Sequence, residues 1–161
     1  QTQQIANISW ALARLATTAA GPAGDFWARC TRELTSGDSD FLRCCLLEEL
    51  SATSGALAQA GALEAPLASA IAAEVHLRLA PSQNCDVDSS AALRTAAGIA
   101  WAFATAGVQD APLFHCLSTC AVRALEAGGA AAVVAGSMPV QKSLLGLSWA
   151  FAFADAAGAK G

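Results

Sequence analysis

The sequence predicts an all-α fold, a right-handed α-solenoid built from helix–turn–helix repeats. Three observations lead there. Alanine, the best helix former, is the commonest residue, Tyr is absent and β-branched runs are scarce. A Trp-centred phrase recurs along the chain. Two turn signals then recur at the same spacing as the phrase.

The phrase is clearest as Ile99-Ala100-Trp101-Ala102-Phe103-Ala104-Thr105-Ala106-Gly107. It appears earlier as Ile8-Ser9-Trp10-Ala11-Leu12-Ala13 and later as Leu147-Ser148-Trp149-Ala150-Phe151-Ala152. A copy over Thr53–Gly61 carries Gly55 where the others have Trp. The series 10, 55, 101, 149 gives a period of 45–48 residues, the range of stacked helical repeats. Gly61 and Gly107 stand 46 residues apart, and so do Ala65-Pro66-Leu67 and Ala111-Pro112-Leu113.

Taken in order, Ile5, Ile8, Leu12 and Leu15 form one helical face within the first copy, Thr2 to about Ala16. Gly21-Pro22 breaks the chain. Asp25 is placed to cap a second helix to about Leu34, with Phe26, Cys30 and Leu34 inward. A helical stretch follows over Phe41–Gln59, with Ser51–Ser54 as the place where it would break. Pro66 suits the first turn of the next helix, which carries Leu67, Ile71, Val75 and Leu79 on one face. Pro81–Ser89 reads as a polar loop. Ser89 or Ser90 opens a helix to Ala106, closed by Gly107. Its partner runs from Leu113 to about Glu126 and ends at Gly128-Gly129. Ala130–Ala135 reads as a short helix or linker, and the last helix as about Val140–Ala156. The repeats are therefore expected at about 1–37, 38–82, 83–128 and 129–161, the fourth incomplete, within a single domain 1–161. Both ends read as cut from a longer chain.

Only 14% of residues are charged, against about a quarter in a typical soluble domain, so part of the surface is expected to be covered by a partner. The net charge of −4, with the nine basic residues scattered, argues against a broad phosphate-binding field. The longest apolar windows, about Ala96–Val108 and Leu144–Ala154, fall short of the roughly 20 residues of a membrane-spanning helix. Peripheral contact with a membrane complex remains open.

No enzyme is predicted, because no acid–base or nucleophile constellation is visible. His115, Cys116 and Cys120 are close in sequence, but a tetrahedral site needs four ligands. His76 and Cys85 are the only further candidates, and no metal or cofactor is expected. Cys44-Cys45 should place at least one thiol in the core, and the six Cys read as free thiols of a reducing compartment.

Trp10, Trp101 and Trp149 admit two readings: an aromatic row for bases or a ligand, or fillers of the gap between consecutive repeats. The flanking alanines favour the second. The repeat core is then Trp10, Gly55, Trp101 and Trp149, with Gly61, Gly107, Pro66 and Pro112 at the turns. A base-reading code would need recurring polar residues. Three residues before the Trp position stand Asn7, Ala52, Gly98 and Gly146. Six before it stand Gln4, Glu49, Thr95 and Ser143. Only the first copy offers amides at both.

Gln4-Ile5-Ala6-Asn7-Ile8-Ser9-Trp10-Ala11-Leu12-Ala13-Arg14-Leu15 and Ile99–Val108 resemble the organellar helical repeats of algae and protists, related to octotricopeptide and RAP-domain/FAST-kinase-like proteins. The resemblance spans most of the chain. It implies a chloroplast setting ahead of a mitochondrial one. It also implies one of two functions: scaffold of a large organellar assembly, such as a photosynthetic supercomplex or organellar ribosome, or RNA binding in processing, stability or translation. The family's Asn before the Trp survives only as Asn7. A non-catalytic scaffold that binds protein subunits is the expected function, with RNA binding as the alternative. Gln4, Asn7, Arg14, Arg29 and Arg32 are the candidate RNA or partner contacts.

Overall fold

The structure, a computed structural model, describes residues 4, 7–9, 11, 24–35, 41–79, 89–129, 131 and 135–158. It is all-α, and no strand occurs among the described residues. Gln4, residues 7–9 and Ala11 are helical. The helices that follow are α1 (Gly24–Thr35), α2 (Phe41–Cys44), α3 (Leu47–Ala60), α4 (Ala65–Leu79), α5 (Ser89–Ala106), α6 (Ala111–Ala124) and α7 (Met138–Gly158). A π-helical turn, Leu125–Gly129, extends α6.

The long helices pack in two rows. In the front row α5 lies between α3 and α7 and packs extensively on both. In the back row α4 packs on α1 and α6. Within a unit, α3 meets α4 and α5 meets α6. The core fills the space between rows: Leu57, Leu67, Ile71, Val75, Leu93, Ile99, Phe103, Leu113 and Leu117 are buried there. Alanines 96, 100, 102 and 104 let the front-row helices approach, and all four are buried.

The repeated turns are repeated in geometry. Gly61 and Gly107 both take a left-handed conformation, φ +71° and +69°. Gly61 N–H donates to Ala58 O and Ala62 N–H to Leu57 O; Gly107 N–H donates to Ala104 O and Val108 N–H to Phe103 O. These are two Schellman endings 46 residues apart, each using a glycine where a side chain would be strained. Pro66 and Pro112 each sit in the first turn of the helix that follows. There Asp110 Oδ1 accepts the Leu113 N–H at 2.9 Å, an N-cap that Glu64 does not reproduce at the matching position.

One expected break moves. The helix over 41–59 is interrupted at Cys45-Leu46, not at Ser51–Ser54. Ser54 is helical and buried, and its hydroxyl is satisfied by donating to Leu50 O at 2.6 Å. At the actual break, Glu49 Oε2 accepts the Leu46 N–H at 2.9 Å and so caps the start of α3. Arg78 of α4 caps the other side. Its guanidinium donates to Leu42 O, Arg43 O and Cys45 O, and its Nε pairs with Glu74 at 2.7 Å. A side chain from a neighbouring helix thus satisfies the carbonyls that end α2.

Among the described residues, the buried tryptophan is not one of those singled out above. Trp27 of α1 is 1% exposed and packs edge-on against Phe26, ring centroids 5.2 Å apart. Leu34 is buried as expected, whereas Phe26 and Cys30 are half-buried. Trp27 lies 44 residues before Ile71, which lies 46 before Leu117, and all three are buried. The register therefore runs through the back row too.

Candidate interaction face

The outer face of the front row is defined by helical spacing. On α5 the exposed or half-exposed strip is Arg94, Gly98, Trp101 and Thr105, at steps of four, three and four. Its counterparts on α7 are Lys142, Gly146, Trp149 and Phe153. On α3 they are Glu48, Ala52, Gly55 and Gln59. Three parallel strips thus form one face.

Trp101 and Trp149 are 37% and 47% exposed, so neither ring is enclosed in the core as expected, although Trp101 does stand between consecutive repeats. The physical reason is their place on the helix. Each lies between a cation seven residues earlier and a residue four later that also faces outward, so the ring cannot point into the space between rows. That signal is present in the sequence: Arg94 and Thr105 flank Trp101 on the helical wheel. Trp101 still bridges helices, since its Cζ3 lies 3.9 Å from where a β-carbon on Gly55 would stand. Trp149 stacks on Phe153, centroids 5.3 Å apart and planes 20° apart, and Phe153 is 43% exposed. This pair is the largest aromatic surface of the face.

Of the positions tested for base reading, those six residues before the Trp lie off this face. Glu49, Thr95 and Ser143 are buried, and only Gln4 is exposed. Those three before it do reach the face as Ala52, Gly98 and Gly146, and in α5 and α7 they are glycines; Asn7 is exposed. α5 passes close to α3 at Gly98: a β-carbon there would stand 2.2 Å from Ser51 Oγ, which would have to turn away, and 3.6 Å from Ser51 Cβ.

Arg29 and Arg32 are exposed on α1, in the back row, so the structure does not bring them to the aromatic strips. Trp10 and Arg14 lie outside the described residues, as does Cys85. His115 is exposed, with Cys116 and Cys120 half-buried on the same helix. Among the described residues no three of His, Cys, Asp and Glu cluster closely enough to hold a metal. Cys44 is exposed and Cys45 buried; burial first, then the Glu49 carboxylate, pushes the Cys45 thiol up to about 11. Burial likewise raises Cys30 and Cys116. No described helix is long and apolar enough to cross a membrane.

No family model, curated protein or solved structure matches the chain. The face itself therefore carries the functional reading. It offers flat aromatic area, two cations on α5 and α7, and little else that is charged.

Proposed function

We propose that the chain is a non-catalytic helical-repeat scaffold, a right-handed α-solenoid whose front row binds a protein subunit of a large organellar assembly. The single observation behind this reading is the exposed aromatic strip, Trp101 with Trp149 and Phe153, on a chain with 14% charged residues. Tryptophan combines a large contact area with few rotatable bonds, and partly exposed aromatic clusters are where protein interfaces concentrate their affinity. The neighbouring glycines and alanines leave the rings standing as ridges above a low surface. The chloroplast is the proposed setting, ahead of the mitochondrion, on the family resemblance alone.

A second reading draws on one specific feature. Arg94 and Lys142 share strips with Trp101 and Trp149, and cations beside stacking rings are how single-stranded RNA is held. Glu48 on the third strip and the net charge of −4 favour protein over RNA.

Native fractionation of organelle extract with the tagged chain separates the two. The scaffold reading expects co-migration with a large assembly that survives RNase and is lost in a folded Trp101→Ala/Trp149→Ala double variant. Release by RNase, together with a salt-sensitive shift of organelle RNA by the purified chain, would instead establish the second reading.

A further inference from the structure

The two joints of the front row are not alike. Where α5 meets α3, Gly98 stands against Ser51 and the Trp101 ring lies over Gly55. The outer strip of α5 thus leans toward the helix before it. One repeat on, the same strip of α7 leans toward α5, on which α7 packs. There the register sets Trp149 opposite Trp101, so no glycine receives its ring. Trp149 is the more exposed of the two, and it stacks on Phe153 instead. A β-carbon on Gly146 meets nothing within 4 Å, while one on Gly98 would collide with Ser51. A shallow furrow therefore follows the α5–α7 joint, with Gly146 low and Trp101, Trp149 and Phe153 raised beside it. Both of its sides belong to described helices.

The charges differ as well. At the α3–α5 joint the register sets Glu48 opposite Arg94, a pair of opposite sign. At the α5–α7 joint it sets Arg94 opposite Lys142, two exposed cations 48 residues apart. Among the described residues neither is in an ion pair. Glu48 lies beyond Arg94, away from the furrow, and neither furrow strip carries a carboxylate. Seven residues of helix, about 10 Å, separate these cations from the rings. Past the rings stand Thr105 and Phe153, which are uncharged. The furrow is thus basic at one end and apolar at the other.

We propose that this furrow binds an extended acidic segment of a partner protein, one that carries an Asp or Glu and, three residues from it, a bulky apolar side chain. The carboxylate sits between Arg94 and Lys142, and the apolar side chain between the Trp101 and Trp149 rings. In an extended chain with three residues per turn, side chains three apart share a face and stand about 9 Å apart, which matches the furrow. Single-stranded RNA fits less well. It carries a phosphate at every nucleotide and would run negative charge past an end that has no cation. The assignment rests on the scaffold reading above and gives its partner a recognisable sequence.

Selection of a displayed random dodecapeptide library on the purified chain tests this, followed by fluorescence anisotropy of the labelled winner and of labelled oligouridylate. Wild type should enrich peptides with an Asp or Glu three residues from Trp, Phe or Leu. The winner should bind about tenfold more weakly to Arg94→Gln/Lys142→Gln and to Trp149→Ala. Arg94→Glu/Lys142→Glu should instead enrich Lys or Arg at the acidic position, a swap that lost folding could not produce. Circular dichroism checks that each variant is folded, and the Gln pair carries the test if the Glu pair is not. Enrichment without an acid, binding unchanged in the Gln pair, or no enrichment overturns the proposal. So does oligouridylate that binds more tightly than the peptide and is lost in the same variants. The scaffold reading is judged apart, by co-migration with the assembly. An Arg94→Gln/Lys142→Gln chain that still co-migrates while wild type selects no acidic peptide leaves that reading standing and overturns this one. Wild type that binds the peptide through Arg94 and Lys142 but co-migrates with nothing does the reverse.

Discussion

The ring of Trp101 lies over Gly55, its Cζ3 3.9 Å from the place where a β-carbon on Gly55 would stand. That is ordinary van der Waals distance, so an alanine fits beneath the ring and gains a contact. Gly55→Ala should therefore stabilise the fold by about 1 kcal/mol, the helix-propensity difference. Gly98→Ala should gain less, because Ser51 Oγ stands 2.2 Å from the new carbon and must turn away. Pairing it with Ser51→Ala should restore the difference. Urea unfolding of the four proteins in the Gly98/Ser51 cycle measures this directly, and strict additivity would contradict the close approach of α3 and α5.

Trp27 and Trp101 should respond very differently to truncation. Trp27→Ala empties a buried site and should cost about 3–5 kcal/mol. Trp101→Ala removes a ring that is already more than a third exposed and should cost about 1–2 kcal/mol. Trp27→Phe is the more informative variant. The Trp27 indole Nε1 is buried without a hydrogen-bond partner, so Phe removes both volume and an unsatisfied donor. Its loss should be well below that of Trp27→Ala. Thermal melts showing equal losses for Trp27→Ala and Trp101→Ala would reverse the assignment of core and surface.

What could be read in advance depended on how local the determining physics was. Gly61, Gly107, Pro66 and Pro112 act within one turn of chain, and each stands where its chemistry demands. The period of the Trp phrase was also legible, because it needs only counting. The exposure of the rings is less plain, although Arg94 and Thr105 beside Trp101 on the wheel point it outward. Composition pulled the other way, since a large ring among alanines resembles a gap filler. Trp27 is harder to see because its copy reads Gly21-Pro22-Ala23 in place of Ala-Pro-Leu; Pro22 stands 44 residues before Pro66, as Trp27 does before Ile71. At the Cys45-Leu46 break, Glu49 caps the Leu46 N–H locally, but the carbonyls on the other side are met by Arg78, more than thirty residues away, which no local pattern shows.

Arg78 should behave as a cap rather than as an ion pair. Its guanidinium serves three carbonyls at the end of α2 while its Nε holds Glu74. Arg78→Ala leaves those carbonyls unpaired and should cost about 1–3 kcal/mol. Arg78→Lys keeps the charge but cannot reach several carbonyls with one planar fork, so it should recover only a minor part. Glu74→Gln, which removes the charge and leaves an acceptor, should cost far less than either. Hydrogen exchange localises the effect: amides of residues 41–50 should lose protection in Arg78→Ala, with those of α6 unaffected.

Cys45 should make stability fall in alkali. Its thiol is pushed from 9.0 up to about 11, first by burial and then by the nearby Glu49 carboxylate, while in the unfolded chain it returns to its ordinary value. Between those two values the folded chain holds a proton that the unfolded chain has lost. Stability is therefore fully present below about pH 9 and declines as pH rises toward about 11. Cys30 and Cys116, both also raised by burial, contribute in the same direction. Cys45→Ala should flatten most of the slope in urea unfolding free energy across this range, at the expense of a lower plateau from the lost packing. Thiol labelling of the native chain near neutral pH should meanwhile modify exposed Cys44 well before Cys45. A slope unchanged in Cys45→Ala would place the alkaline transition on other groups.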